Sequence, residues 1–213
     1  MGRSGVKINA DLVARTALTL LDRVGLDGLT MRLVATELGV QAPALYWHVK
    51  NKQELLDAMA VRVFLAAVDG VESPRRGEDW ADWIAELARR LRRAMLGHRD
   101  GARVFAGSSI AHPALYRTIE LTLRTLTDAG FDSRDAVRAF GTLYHYTVGY
   151  TIEEQARIGT AYGADNPYDP DRFAEAVDPQ RFPLAAQVLD TLFDPDADAG
   201  FEHGLRLIIN GMR

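Results

Sequence analysis

Residues 30–52 read TMRLVATELGVQAPALYWHVKNK and contain two short amphipathic segments joined by a tight turn. Thr30 can cap the first segment, because the opening N–H groups of a helix lack partners within the helix. Apolar residues then recur at helical spacing at Met31, Val34, Ala35 and Leu38. Gly39 is predicted to end this helix and Pro43 to open the next one, where its missing N–H costs nothing.

The second segment is predicted to combine apolar residues that anchor it in the core with polar side chains that point outward. The apolar anchors are Leu45, Trp47 and Val49, and the polar side chains are those of Gln41, Tyr46, His48, Lys50 and Lys52. Two helices joined by a glycine-containing turn, the second rich in hydrogen-bonding tips, are typical of a helix-turn-helix that reads a DNA major groove. The alternative is an ordinary pair of packed helices with a solvated basic end.

Charge is unevenly distributed along the chain. The 213 residues carry a formal net charge of −4. Residues 1–65 nevertheless hold eight Lys or Arg against six acidic residues, so the rest of the chain is net acidic. A mildly basic head on an acidic body suits phosphate contact at one end only.

Composition narrows the class of protein further. Cysteine is absent, which excludes disulfides, thiolate metal sites and a cysteine nucleophile. The N-terminus has no apolar run of the signal-peptide type, and no stretch approaches the ~20 apolar residues of a membrane span. We therefore expect a soluble, cytoplasmic protein that does not associate with membranes.

Helical periodicity on both sides of the motif predicts a DNA-binding head over residues 1–68. Residues 1–7 are expected to be a frayed arm. A helical stripe follows at Ile8, Leu12, Val13, Ala17, Leu20, Leu21 and Val24, and Gly25 and Gly28 are expected to close it. After the motif, a helix is expected to run from an Asn51 cap to about residue 68, with Glu54 in the capping-box position.

Residues 69–213 are predicted to form a second helical region, which makes the fold all-α. Residues 70–77 are expected to form a linker. Helices are expected near 80–96, 113–130, 133–157, 184–193 and 195–212, with a short apolar piece at 104–106 and a loop at 159–183 that holds one helical turn near 173–177. Arg89, Arg90, Arg92 and Arg93 are expected to form a solvated face.

The helices near 133–157 and 195–211 have broad apolar faces with interspersed glycines. Such faces suit a homodimer, in which two helices from each protomer form a four-helix interface. A dimer would also place two heads roughly 34–36 Å apart on a DNA palindrome. The alternative is that both helices fill one monomeric core.

Four motifs resemble the TetR family, and specifically its tetracycline-repressor class. They are LYWHVKNK followed by ELLDAMA (residues 45–52 and 54–60), GHRDGARV (97–104), YTVGYTIEEQ (146–155) and FEHGLRLIING (201–211). The resemblance spans nearly the whole chain. It implies an all-helical homodimer with an N-terminal DNA head, an effector-binding and dimerisation domain over residues 69–213, and repression relieved by the small effector.

The resemblance also implies DNA contacts by position. Arg32 and Gln41 match positions that reach base edges or nearby phosphates, and Pro43 and Tyr46 match contacts to thymine methyl groups and backbone. The full expected set is Thr30, Arg32, Gln41, Ala42, Pro43, Ala44, Tyr46, His48, Lys50 and Lys52. The class has glutamine immediately before the proline, whereas this chain has Ala42 there, so we expect a palindromic operator of related layout and altered sequence.

The effector positions depart further from the class. A histidine that helps to bind a magnesium–drug chelate corresponds to Phe105, and phenylalanine cannot ligate a hard cation. Other drug-contacting positions correspond to Val68, Leu87, Leu91 and Ser109, and only the acidic position, Glu153, is retained. We therefore expect an apolar effector other than magnesium–tetracycline, with no metal and no cofactor.

The polar anchors of this pocket are expected to come from Glu153, Thr122, His145 and Tyr150. Each pocket assignment has an alternative. Leu87, Leu91 and Phe105 also suit an ordinary core, His145 a packed hydrogen-bonded histidine, and Glu153 with Glu154 a solvated or capping pair.

Two other classes of function remain open. A helical enzyme is disfavoured because the five histidines (His48, His98, His112, His145 and His203) are scattered and no catalytic spacing or phosphate loop occurs. An architectural DNA-binding protein without a ligand would bind with weak sequence dependence. The acidic body argues against such broad affinity.

Overall fold

The computed structural model describes residues 8–158, 169–192 and 196–212, and the regular elements in these ranges are helices, with no β-strand among them. In chain order they are α1 (Ala10–Gly28), α2 (Met31–Glu37), α3 (Ala42–Tyr46), α4 (Lys52–Val68), α5 (Trp80–Leu96), α6 (Gly101–Ala106), α7 (Pro113–Asp128), α8 (Ser133–Ile158), α9 (Pro170–Ala176), α10 (Pro183–Gln187), α11 (Leu189–Leu192) and α12 (Ala197–Gly211). The predicted all-α fold class is confirmed. Within the described ranges, no helix combines the length and apolarity needed to cross a bilayer.

The turn chemistry of the helix-turn-helix follows the sequence. The Thr30 hydroxyl accepts a hydrogen bond from the Leu33 N–H at 3.2 Å, which caps α2. Gly39 then takes a left-handed conformation with φ of 68°, and Pro43 lies in the first turn of α3. These three sequence predictions are confirmed.

The cap of α4 differs in one detail from the predicted capping box. The Asn51 side chain accepts from the Glu54 N–H at 2.9 Å, as expected. The Glu54 carboxylate, however, accepts from the Lys50 N–H at 2.7 Å, one residue before the cap. Both contacts satisfy N–H groups at the point where α3 gives way to α4.

Helix boundaries in the body depart from the sequence in three places. The short apolar piece at 104–106 begins earlier, as α6 from Gly101, and the predicted helix over 184–193 is divided into α10 and α11. Helix α12 begins after Asp196, whose side chain accepts from the Ala199 N–H at 2.9 Å. The expected arm at 1–7, the loop at 159–168 and the expected helix start at 194–195 lie outside the described residues.

Two buried clusters form the core, and α4 connects them. The first joins α1–α4 to α5 and α6 through residues such as Leu21, Leu45 and Met59. The second joins α5, α7, α8 and α12 around Ile84 and Phe201. Helix α4 packs against α1 on one side and against α5 and α6 on the other. The division of the chain at residue 68 stays a prediction, because a helix shared by both clusters does not mark a boundary.

Helix α12 lies unusually close to α8 at two glycines. The Tyr150 hydroxyl donates to the Ala197 carbonyl oxygen at 2.8 Å, and the Tyr146 hydroxyl donates to the Phe201 carbonyl oxygen at 2.9 Å. A Cβ at Gly200 would collide with the Tyr150 hydroxyl, and one at Gly204 with the Tyr146 ring. These two glycines therefore let α12 approach α8 within one protomer.

Candidate DNA-binding and effector-binding sites

Helix α3 is held by two buried residues and presents its other side to solvent. Leu45 and Val49 are buried in the first core cluster, as the sequence predicts. Gln41, Pro43 and Tyr46 are exposed around them. This anchoring leaves Tyr46 of α3 and the preceding Gln41 accessible to a partner without disturbing the core.

Trp47 corrects the prediction of three apolar anchors. Its side chain is 87% exposed, although tryptophan is normally well buried. Helix α3 ends at Tyr46, and the short segment after it turns Val49 rather than Trp47 towards the core. Trp47 therefore lies on the exposed surface, next to His48.

The predicted DNA contacts occupy one continuous stretch, and four of them line a common depression. Arg32, Gln41, Ala42 and Pro43 line a concave surface between α2 and α3. Ala44 is partly buried, whereas His48, Lys50 and Lys52 are exposed.

Three members of the set already have partners within the head. The Thr30 hydroxyl caps α2. Lys50 Nζ lies 3.7 Å from the Glu54 carboxylate, and Lys52 Nζ donates to the Leu26 carbonyl oxygen at 3.4 Å. Neither lysine contact is strong, since exposed ion pairs contribute little and 3.4 Å is long for a hydrogen bond.

A cavity of about 320 Å³ lies in the body, between α4, α5, α6, α7 and α8. Its volume is at the lower end of the range for small-molecule sites. The lining is dominated by aliphatic and aromatic side chains, with four hydroxyl groups. The lining residues are Phe64, Ala67, Val68, Ile84, Leu87, Ala88, Leu91, Phe105, Ser108, Ile110, Leu115, Thr118, Phe140, Leu143, Tyr144 and Thr147.

The structure brings four of the nine predicted effector residues together in this cavity. Val68, Leu87, Leu91 and Phe105 all belong to its lining. They come from three different helices, so their convergence depends on how α4, α5 and α6 pack.

The other five predicted residues lie outside the cavity lining. Ser109 is exposed and its N–H donates to Asp57 at 2.9 Å, while its neighbour Ser108 lines the cavity instead. Thr122 is fully buried one turn beyond Thr118. Tyr150 is engaged with α12, and His145 and Glu153 are exposed on α8.

The lining does not suit a hard cation. Mg²⁺ is held by carboxylate and carbonyl oxygens and water, and the class of protein resembled here adds an imidazole. None of the described lining residues carries a carboxylate or an imidazole, and Phe105 presents a hydrocarbon ring. The residues present therefore do not fit a magnesium chelate inside this protomer's cavity. No group of three or more His, Asp or Glu side chains in the described ranges could hold a metal ion.

A buried ion pair between α5 and α8 was not predicted from the sequence. The guanidinium of Arg92 donates to both carboxylate oxygens of Glu154, at 2.8 and 2.6 Å, and lies 2.7 Å from Asp198. It also sits 4.8 Å from the centre of the Phe201 ring. Despite the cost of burial, these carboxylates raise the pKa of Arg92 above its ordinary value.

The predicted solvated arginine face is therefore wrong for Arg92, and the alternative in which Glu153 and Glu154 form a solvated pair is wrong for Glu154. Arg92 is only 7% exposed and Glu154 is likewise buried. Helical spacing could have predicted the burial of Arg92, because this residue follows the buried residues Ala85 and Ala88 by seven and four positions.

Polar contacts join the head to the body at the turn between α5 and α6. Asp22 of α1 accepts from the Arg99 N–H at 2.9 Å and lies 3.1 Å from the His98 ring nitrogen. Asp100 accepts from the Leu26 N–H at 2.8 Å. The GHRDGARV motif thus lies where the orientation of the head is fixed.

A second set of contacts joins the start of α4 to the loop after α6. The Gln53 side chain donates to the Gly107 carbonyl oxygen at 2.9 Å and to the Asp57 carboxylate at 2.9 Å. The same carboxylate accepts the Ser109 N–H. Because Ser108 lines the cavity, this loop contacts both the cavity and α4, the helix that follows α3.

Comparison with protein families gives two matches that together span most of the chain. Residues 14–59 match the family described as bacterial regulatory proteins, tetR family. Residues 73–213 match the tetracyclin repressor-like C-terminal domain.

Individual relatives match over nearly their whole lengths. The tetracycline repressor protein class A from transposon 1721 of Escherichia coli is 40% identical over 206 residues, which cover 97% of this chain and 91% of that protein. A possible TetR family transcriptional regulator from Streptomyces coelicolor A3(2) superposes with a TM-score of 0.86 at 42% identity, covering 96% and 98% of the two chains. ActR from the same species, in complex with actinorhodin, superposes with a TM-score of 0.81 at 30% identity, covering 97% and 96%.

Proposed function

Because this chain belongs to the TetR family of bacterial regulatory proteins, we propose that it is a homodimeric repressor released from a palindromic operator by a small, largely apolar effector. Members of this family are transcriptional regulators, not enzymes. One observation carries the proposal. Helix α3, called the reading helix below, is exposed, and a single helix, α4, connects it to an apolar cavity.

The operator-binding surface is proposed to be the exposed side of the helix-turn-helix. Gln41 and Arg32 suit base edges, because amides pair with adenine and arginine with guanine. His48, Lys50 and Lys52 suit phosphates. Ala42 in place of a glutamine removes one base-reading side chain, which supports an operator of altered sequence.

The dimer is proposed to form through α8 and α12. Val137 and Leu207 are 55% and 62% exposed on these helices, although both are large and apolar. A Cβ built at Gly141, Gly149 or Gly211 would meet no described atom within 4 Å, so these glycines leave open space for a close neighbour. A self-complementary face of this kind suits isologous pairing.

The effector is proposed to bind in the cavity between α4 and α8. The apolar lining supports a ligand different from magnesium–tetracycline, since none of its described residues carries a carboxylate or an imidazole. Relatives named as tetracycline repressors, and ActR in complex with actinorhodin, support ligand control in general.

Coupling is proposed to run through α4. Its C-terminal half lines the cavity at Phe64, Ala67 and Val68, and its N-terminus follows the reading helix. A ligand that prefers the head spacing unmatched to DNA would lower operator affinity by its differential affinity for the two states. The usual allosteric range of ~1–3 kcal/mol corresponds to ~5–150-fold weaker binding.

The test is footprinting of the purified protein on DNA flanking its own gene, at two salt concentrations. A protected palindrome with two half-sites, retained as salt rises, is the expected result. Diffuse protection that disappears with salt would instead indicate phosphate contact without base reading. In that case the architectural alternative would replace the repressor.

A further inference from the structure

We propose that the cavity selects an uncharged aromatic ligand that donates a hydroxyl hydrogen to the wall formed by Ser108 and Thr118. This inference rests on the proposed function, because it names the chemical class of the effector. It goes beyond an apolar ligand by specifying that the ligand supplies the hydrogen-bond donor and the cavity supplies the acceptor. Three sets of observations carry it.

The first observation concerns the hydrogens of the wall hydroxyls. Ser108 donates its hydroxyl hydrogen to the Val104 carbonyl oxygen at 2.6 Å, and Thr118 donates to the Ala114 carbonyl oxygen at 2.9 Å. A hydroxyl has a single hydrogen, so each of these oxygens retains only acceptor capacity. A ligand hydroxyl or N–H satisfies such an oxygen, whereas a ligand carbonyl or ether oxygen does not.

The second observation concerns the remaining hydroxyls. Thr147 is fully buried and donates to the Leu143 carbonyl oxygen at 2.8 Å. Tyr144 differs, because within the described ranges its hydroxyl has no hydrogen-bond partner, and burial is the only cause of its pKa shift. Burial raises the pKa of Tyr144, which keeps the phenol protonated and able to donate. The described lining thus offers acceptor oxygens at Ser108, Thr118 and Thr147, of which Thr147 is fully buried, and a single free donor at Tyr144.

The third observation concerns charge and ring character. No charged side chain is among the described lining residues, and Arg92 is already paired with Glu154. A ligand charge would lose its hydration without gaining a counter-ion, which is unfavourable. Four aromatic rings line the cavity, at Phe64, Phe105, Phe140 and Tyr144, and aromatic pairs add to simple area burial. An uncharged aromatic ligand fits both features.

The test compares three anthraquinones that differ in one substituent. They are 2-(hydroxymethyl)anthraquinone, its methyl ether, and anthraquinone-2-carboxylate, each titrated into the full-length protein at neutral pH by calorimetry. The alcohol is expected to bind roughly 2- to 12-fold more tightly than the ether, the range for one neutral hydrogen bond. The carboxylate is expected to bind at least roughly tenfold more weakly than the alcohol.

Variants assign the preference to the wall. Thr118→Val combined with Ser108→Ala, which removes both acceptor oxygens, is expected to bring the alcohol-to-ether ratio close to one. Thr122→Val is the matched control, because Thr122 lies one turn away on the same helix, is buried and does not line the cavity. Tyr144→Phe is expected to weaken the alcohol and the ether alike, since both carry the ring carbonyls.

The outcomes separate this inference from the effector proposal. Equal affinity for alcohol and ether, tighter binding of the carboxylate, or no binding of any of the three would overturn the selectivity inference. An unchanged ratio in the variant that carries both Ser108→Ala and Thr118→Val would also overturn it. Operator release is measured separately, so selective binding without release would retain the ligand chemistry and reject the effector role.

Discussion

At the scale of single residues, two tyrosines set the distance between α8 and α12. The hydroxyls of Tyr146 and Tyr150 reach the backbone of α12 at Phe201 and Ala197, opposite glycines that have no Cβ to obstruct them. The two rings also contact Phe201, with Tyr146 stacked at 5.5 Å. Tyr150 was predicted to contact the effector, but its hydroxyl instead hydrogen-bonds to the backbone of α12.

Gly200→Ala is expected to destabilise the fold by roughly 1–2 kcal/mol, because the new Cβ collides with the Tyr150 hydroxyl and overpacking has costs of this order. Tyr150→Phe removes the colliding oxygen, since the next ring atom lies 3.5 Å from that Cβ. The double variant should therefore lose less than the two single variants together. Urea unfolding of all four proteins measures this coupling, and strictly additive losses would contradict the contact.

Tyr146 should make the fold sensitive to alkaline pH. Burial, with a smaller contribution from the neighbouring Tyr150, raises the pKa of Tyr146 to about 12 from its ordinary value near 10. Below pH 10 this phenol is neutral in both states and its contribution is fully present. Between 10 and 12 it ionises only in the unfolded chain, so roughly 2 kcal/mol of stability should be lost as pH rises.

Urea unfolding between pH 8 and 11 checks this expectation. Tyr146→Phe should flatten the alkaline fall in unfolding free energy, whereas Tyr116→Phe, at an exposed position on α7, should leave it unchanged. Parallel curves for Tyr146→Phe and the parent protein would show that another group causes the fall.

At the scale of helices, Arg92 ties three elements together. It lies on α5 and meets Glu154 of α8 and Asp198 at the start of α12. The apolar faces of these helices fix how closely they pack, and the bidentate pair fixes their register. Whether such a pair adds net stability depends on its burial cost, but loss of one partner leaves the other charge unsatisfied.

Arg92→Met is expected to lower the unfolding free energy by about 3–5 kcal/mol, since Glu154 would remain buried without a counter-ion. Adding Glu154→Gln should recover part of that loss. Arg93→Met serves as the control, because Arg93 and its partner Glu86 are exposed and such pairs contribute under about 1 kcal/mol. Equal losses for Arg92→Met and Arg93→Met in urea titrations would refute the role of burial.

Substitutions at the two ends of the reading-helix region should distinguish base contacts from phosphate contacts. Gln41→Ala is expected to cost about 1–3 kcal/mol of discrimination between operator and altered sites, with an unchanged salt dependence. Lys52→Ala should weaken binding to all sequences and reduce the salt slope by roughly one per protomer. Fluorescence anisotropy over a salt series measures both quantities, and a reduced slope for Gln41→Ala would reassign that residue to phosphate contact.

At the scale of the whole molecule, the described protomer leaves apolar surface uncovered. Beyond the exposed faces of α8 and α12, the segment 170–192 exposes Phe182, Leu184, Val188 and Leu192. Exposed apolar side chains that form a contiguous patch mark interaction sites. A second copy of the chain is the partner that the proposed dimer supplies.

Leu207→Lys is expected to convert the dimer to a monomer, because it places a charge in the proposed apolar interface. Light scattering after gel filtration should report half the parent mass, and affinity for a palindrome should fall while the helical content is retained. Tyr116→Lys, at another exposed apolar position, should leave the mass unchanged. A dimeric Leu207→Lys protein would place the interface elsewhere.

The sequence by itself determined most of the helices, the N-caps of α2 and α4, and many of the buried faces. Thr30, Gly39, Pro43 and Asn51 act locally, through hydrogen bonds and backbone geometry that reach only a few residues along the chain. Such local interactions can be predicted from the sequence without knowledge of the tertiary structure. Periodicity likewise placed Leu45 and Val49 in the core, and the motif residues identified the family.

Only the tertiary structure decided which faces meet and what lies between them. Periodicity gives the inward face of a helix but not the helix opposite, so Arg92 could not be matched with Glu154, sixty-two positions away. The end of α3 turned Trp47 outward, and the packing of five helices made Ser108 and Thr118 cavity residues while leaving Ser109 and Thr122 outside it. These outcomes depend on contacts between distant segments, which side-chain chemistry along one helix does not specify.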